Sequence, residues 1–242
     1  MASKQLAVTV IAGAALAGIA VLHAQQPPAP ADRVAALKQT MQQGLGLARK
    51  YEWIETTIIS LKGEEKARKQ NRCYYGADGK VQKIPLDQPE PPAQQPQGRG
   101  RRGGHVKEKV VAKKKDEMKD YMEKAAGLIH QYVPPNPQQI QAAKDAGRIA
   151  VNPPSDGKVR LVVSQYLKPG DSLTIDVDAA ANTIAGLGVN SYLDSKDDVV
   201  TLAVQMNRLP DGAIYAGQTR LEAKAKHITV VIENSGHRPV QQ

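Results

Sequence analysis

Ser172-Leu173-Thr174-Ile175-Asp176-Val177-Asp178 alternates polar and apolar residues without a break. A period of two puts Leu173, Ile175 and Val177 on one face of an extended segment and Ser172, Thr174, Asp176 and Asp178 on the other. The pattern returns at Val200, Leu202, Val204 and Met206. It returns again at Leu221, Ala223 and Ala225 between Arg220, Glu222 and Lys224, and at Ile228, Val230 and Ile232 between His227, Thr229 and Glu233. Turn-forming Pro169-Gly170-Asp171, Ala181-Asn182 and Pro210-Asp211-Gly212 fall between these runs. From Lys158 onward this predicts six short strands in an antiparallel meander, each with one apolar face. Such a sheet needs a cover on that face.

The cover is read from the segments upstream. Met118, Tyr121, Met122, Ala125, Leu128, Ile129 and Tyr132 recur at helical spacing, and Pro134-Pro135 ends the run. A shorter helix is predicted from Pro137 to Ala146, ending at Gly147. Near the start, Asp32 caps another amphipathic helix with Val34, Leu37, Met41, Leu45 and Ala48 on one stripe, ending near Arg49. Tyr51 to Leu61 then suits a strand, being rich in Trp, Ile and Thr. Strands over Ala67 to Tyr75 and Lys80 to Leu86 are joined by Gly76-Ala77-Asp78-Gly79, whose Asp-Gly pair signals a hairpin.

Gln88 to Gly104 holds Pro, Gln, Gly and Arg and almost no apolar residue, and its basic end continues through Lys115. It buries too little surface to offset the entropy of ordering, so 88–115 is expected to be a disordered basic loop.

The first residues read as an export signal: Lys4, an apolar run from Leu6 to Leu22, and small Ala24 before a cut at Gln25. Residues 1–24 are therefore expected to be removed, 25–31 to form a flexible Pro- and Gln-rich tether, and 32–242 to form one domain. Lys4 is the one charged residue lost, taking the net charge from +9 to +8. The expected location is periplasmic or secreted. Cys73 is the single cysteine, so no intrachain disulfide forms, and its strand setting suggests a buried inert thiol. With no Phe and one Trp, the core rests on aliphatic residues and tyrosines.

The residues offer little for catalysis. His105 lies in the basic stretch, His130 beside an apolar stripe, His227 on a polar face and His237 in the tail, and none sits at metal-ligand spacing from another His or from Cys73. Glu52 and Glu55 fall on opposite faces of their strand, which opposes a paired-carboxylate site. Asp194, Asp197 and Asp198 lack the loop pattern of a calcium site. No cofactor, metal or enzymatic activity is expected. The Arg/Gly run at 98–104 is similar to RNA-binding segments, but export argues against nucleic acid. A charged arm drawn to anionic surfaces is the alternative.

Taken in order, an amphipathic helix, Tyr51-Glu52-Trp53-Ile54-Glu55-Thr56 opening a meander, and the hairpin Tyr75-Gly76-Ala77-Asp78-Gly79-Lys80 resemble the LolA-like superfamily of periplasmic lipoprotein carriers. The stretch from Tyr166-Leu167-Lys168-Pro169-Gly170-Asp171 through Asn234-Ser235-Gly236 also resembles uncharacterised exported bacterial proteins. The resemblance implies an incomplete β-barrel closed by helices and holding an acyl chain, and it assigns no site residue. The fold class expected is α+β, a curved antiparallel sheet (a half-barrel) wrapped around amphipathic helices. The leading functional expectation is a non-enzymatic protein that holds an apolar ligand, such as a lipid or lipoprotein acyl chain, against Met118, Tyr121, Met122, Leu128, Ile129 and Tyr132. The alternative is a structural or interaction protein of the envelope with a filled core, docked to an anionic surface through Arg99, Arg101, Arg102, Lys107 and Lys109.

Overall fold

The computed structural model describes residues 30–86 and 104–240. The export signal, nearly all of the tether and the Gln88–Gly103 stretch with Arg99, Arg101 and Arg102 lie outside the described residues. Helix α1 (Pro30–Ala48) leads into β1 (Tyr51–Leu61), β2 (Glu64–Tyr75) and β3 (Val81–Pro85). Helices α2 (Gly104–Ile129) and α3 (Pro137–Asp145) follow. The chain then runs through β4 (Ile149–Ser155), β5 (Lys158–Ser164), β6 (Ser172–Asp178), β7 (Thr183–Tyr192), β8 (Val199–Arg208), β9 (Ile214–Ala223) and β10 (Ile228–Pro239).

All ten strands form one open sheet in the order β3-β2-β1-β10-β9-β8-β7-β6-β5-β4. Every pairing is antiparallel, and nearly all join neighbours in sequence through a turn. The exception is β1 with β10, where Tyr51 pairs with Pro239 and Leu61 with Ile228. That seam welds the N-terminal hairpins to the C-terminal meander. The fold is the expected α+β half-barrel, with the six strands from Lys158 onward in place.

Several local expectations are corrected. β4 is additional to the six strands expected from Lys158 onward, and it contains Pro153-Pro154, residues that a central strand excludes. It forms an edge of the sheet, where a missing N–H removes no ladder bond, and its register with β5 shifts between Asn152 and Ser155. Residues from Gly104 to Lys115, expected in a disordered loop, belong to α2. Beyond Gly104 this stretch holds no breaker, and its Lys, Glu and Val residues tolerate a helix. Pairs such as Lys113–Glu117 and Lys119–Glu123, one turn apart at 4.0 and 3.7 Å, add a few tenths of a kcal/mol each. At its other end α2 stops at Ile129, so Tyr132 lies in the following turn, where its N–H bonds the Ile129 carbonyl. Helix α3 begins as expected: Asn136 Oδ1 accepts from the Gln138 N–H at 2.9 Å, and Pro137 opens the first turn.

Helix α1 starts at Pro30, so Asp32 does not cap it. Leu45, expected on its apolar stripe, is 46% exposed. The face toward the sheet is Met41, Gly44, Leu47 and Ala48. A Cβ at Gly44 would come within 2.4 Å of the Ile214 side chain, so the absence of one lets β9 seat against the helix backbone.

Candidate functional site

The inner face of the sheet holds an apolar row that runs from β4 to β2. Strand register aligns Ile149, Val163, Leu173, Val189, Leu202, Leu221, Val230, Ile59 and Ala67 as successive cross-strand neighbours. Exposure is uneven along it. Val163, Leu173, Val189 and Leu202 are buried, with Leu173 at 0%. Leu221, Val230 and Ile59, on the strands to the other side, are half-buried, as are Val204, Ile232 and Leu61 beside them. The difference follows the helices. Ala125, Ile129 and Tyr132, with Ala143 of α3, share one core cluster with β5, β6, β7 and β8. Helix α1 lies on β7 and β9 near the opposite end of the strands, with Met41 Sδ 3.4 Å from the Ile184 nitrogen.

A buried polar group anchors the covered half. The Tyr132 hydroxyl, with its residue fully buried, donates to Asp171 Oδ2 at 2.5 Å. Its one proton is thereby committed, so Ser191 donates to the phenol oxygen across 2.8 Å. Asp171 Oδ2 also accepts from the Leu167 and Lys168 N–H groups at 3.1 and 2.9 Å, while its Oδ1 is buried without a partner. Burial, then the Asp171 carboxylate, raises the Tyr132 pKa far above that of a free tyrosine. The Tyr166 ring sits 5.4 Å away, and its hydroxyl accepts from the Asn136 N–H at 2.7 Å. The Asp171 carboxylate thus ties the turn after α2 to the β5–β6 backbone, and the Ser191 hydroxyl ties the same tyrosine to β7. Sequence reading assigned Tyr132 to the apolar stripe and missed Asp171 and Ser191. The Pro-Gly-Asp turn was the one visible trace of the arrangement.

The expected lining residues separate into two groups. Ile129 and Tyr132 are sealed in the core, and Leu128 packs against it. Met118, Tyr121 and Met122, one to three turns back along α2, are half-buried. The Tyr121 hydroxyl donates to Asp198 in the β7–β8 connection, and Lys226 Nζ lies 5.7 Å from its ring, so the helix is pinned at the turn end of the sheet. Burial and the Asp198 carboxylate raise the Tyr121 pKa strongly. Lys107 and Lys109 fall in the first two turns of α2.

Toward the β3 edge the inner face turns polar. Glu55, 8% exposed, accepts from Lys83 Nζ at 2.7 Å through both oxygens, while Glu52 sits on the outer face. Cys73 is fully buried, and burial raises its thiol pKa, which disfavours the reactive thiolate. His237, read as tail, lies in β10, stacked on Trp53 with ring centres 6.0 Å apart and 3.9 Å from the Tyr215 ring centre. Burial there lowers its pKa. Among the described residues no three His, Cys, Asp or Glu side chains gather as a metal site. No helix among them is long and apolar enough to cross a membrane.

No family model matches the chain, and no curated protein does. Among solved structures the chain is similar to a LolA superfamily protein from Nitrosomonas europaea, at 8% identity and a TM-score of 0.38, over 86% of this chain and 94% of that one.

Proposed function

We propose that this is an exported, non-enzymatic protein that holds an apolar ligand, a lipid or the acyl chain of a lipoprotein, between its sheet and its helices. The observation that carries the reading is the change in exposure along a continuous apolar row. The β5–β8 half is filled by α2 and α3, but the row runs on through Leu221, Val230 and Ile59 with no loss of apolar character and less cover. A sheet that needed only a filled core would turn polar where its cover ends. The ligand would lie on β9, β10 and β1, with Met118, Tyr121 and Met122 along its flank. The two methionines offer a lining that adapts to chain shape. Ile129, Tyr132 and most of Leu128 would back this surface from within the core. The basic arm, Arg99, Arg101 and Arg102 followed by Lys107 and Lys109 on α2, would hold the protein near an anionic envelope surface.

The test is mass spectrometry of solvent extracts from protein purified out of its native envelope fraction, with a Val230→Asp variant beside it. A lipid present in near-stoichiometric amount, and lost from the variant, is expected. Lipid-free protein that also gains no thermal stability from added long-chain phospholipid would overturn the proposal. Binding to anionic vesicles should fall steeply with salt and with Arg99, Arg101 and Arg102 changed to Ala.

A further inference from the structure

We propose that the outer face of the sheet carries a separate oxyanion-binding site, built on Arg72 and Arg238 and taking a carboxylate or phosphate group. Where the ends of β1, β2 and β10 meet, a concavity of about 640 Å3 is lined by Glu52, Arg72, Tyr74, Arg238, Pro239 and Val240. A recess of about 140 Å3 shares Glu52, Arg72 and Arg238 with it and reaches Trp53. The hollow has a cause in the backbone. The β1–β10 register shifts between Glu52 and Ile54, and Gly236 has a positive φ of 62°, so the two strands splay at this end.

Charge is unbalanced in the hollow. Elsewhere on β2, β5 and β9, Arg68, Arg160 and Arg220 each hold a carboxylate: Glu65, Asp176 and Glu222. Here a single carboxylate stands between two guanidinium groups. Glu52 accepts a hydrogen bond from Arg238 Nε. Arg72 Nη1 is 3.9 Å from the other Glu52 oxygen, beyond hydrogen-bond reach, and Arg72 Nε is buried with no partner. The guanidinium is thus partly desolvated without receiving the acceptor that would offset it. Its side chain is still 41% exposed, so the terminal nitrogens face the concavity and offer a planar fork that matches a carboxylate or phosphate. A net charge of +9 on the chain favours anion approach. The site lies on the face opposite the apolar row, so its fate is independent of the ligand proposed there.

The full chain is titrated with sodium acetate and, separately, inorganic phosphate, ionic strength being held constant with chloride, while the heat of binding is followed by calorimetry. A saturable change is expected, and the tighter of the two anions identifies the group the site prefers. Arg72→Gln should weaken binding at least tenfold. Arg68→Gln, which removes the same charge from the same strand, should stay within twofold. Arg72→Lys, keeping the charge without the fork, should fall between them. If Arg72→Gln does not fold, Arg238→Gln, which frees Glu52 to pair with Arg72, should abolish binding instead. No saturable change, or equal losses in the Arg68 and Arg72 variants, would overturn the site.

Discussion

Replacing Tyr132 by Phe removes one oxygen from a fully buried polar group and leaves the ring in place. Two hydrogen bonds go with it. The bond to Asp171 is charge-assisted and contributes about 1.5–3 kcal/mol, and the neutral bond with Ser191 contributes about 1. Asp171 keeps its two backbone donors. Ser191, 2% exposed, is left with a hydroxyl that water does not reach. The expected loss is about 2–4 kcal/mol, a large part of the stability of a domain this size. Ser191→Ala alone should cost about 1 kcal/mol, because Tyr132 still donates to Asp171. The double variant should cost less than the two single losses added, since neither partner of the second bond is then stranded. Urea unfolding followed by circular dichroism measures all three, with an unchanged slope showing that the unfolded state is the same. There is a pH arm as well. The folded-state pKa of Tyr132 is raised above the ordinary value of 10.0, so the unfolded chain releases its proton first as pH climbs. This contribution is present in full below pH 10 and is lost as pH rises above it. Tyr132→Phe should therefore flatten the decline of stability at high pH. A loss under about 0.5 kcal/mol, or strict additivity in the double variant, would refute the account.

Other perturbations separate effects that look alike in sequence. Gly44→Ala should destabilise by about 1–3 kcal/mol despite its gain in helix propensity, because the new Cβ meets Ile214, whereas Gly46→Ala, with nothing within 4 Å, should stabilise by about 0.5–1 kcal/mol; thermal unfolding of the pair checks this. Leu173→Ala, at a fully buried position, should cost about 3–5 kcal/mol against about 2 for the half-buried Leu128→Ala, and chemical denaturation would count against the packing described if the order were reversed. His237 has a lowered pKa, so the unfolded state takes up its proton first as pH falls; its contribution is present above about pH 6.5 and lost below it. His237→Gln should narrow the difference in melting temperature between pH 7.5 and pH 5.

Local patterning carried much of the architecture. The alternation in Leu173-Thr174-Ile175-Asp176-Val177 and its repeats marked strands and their inner faces, and β1 came out at Tyr51–Leu61 as read. The Asp78-Gly79 hairpin and the helix start at Pro137 were legible for the same reason: each rests on residues within a few positions of one another. Reading failed where the deciding partner is distant. Pro153-Pro154 is a breaker unless the strand lies at an edge, and edge status depends on the whole strand order. Leu45 and Gly44 exchange roles because Ile214, far along the chain, takes the space beside the glycine. Tyr132 looked like one more apolar ring until the turn after α2 brought it to Asp171 and Ser191. Arg72 looked like any strand arginine until the β1–β10 seam set Arg238 beside Glu52, the carboxylate nearest to it among the described residues. Periodicity is a property of neighbouring residues and survives in the bare sequence. Register across a seam, the depth of a hydroxyl and the pairing of a charge exist only once remote segments have been brought together.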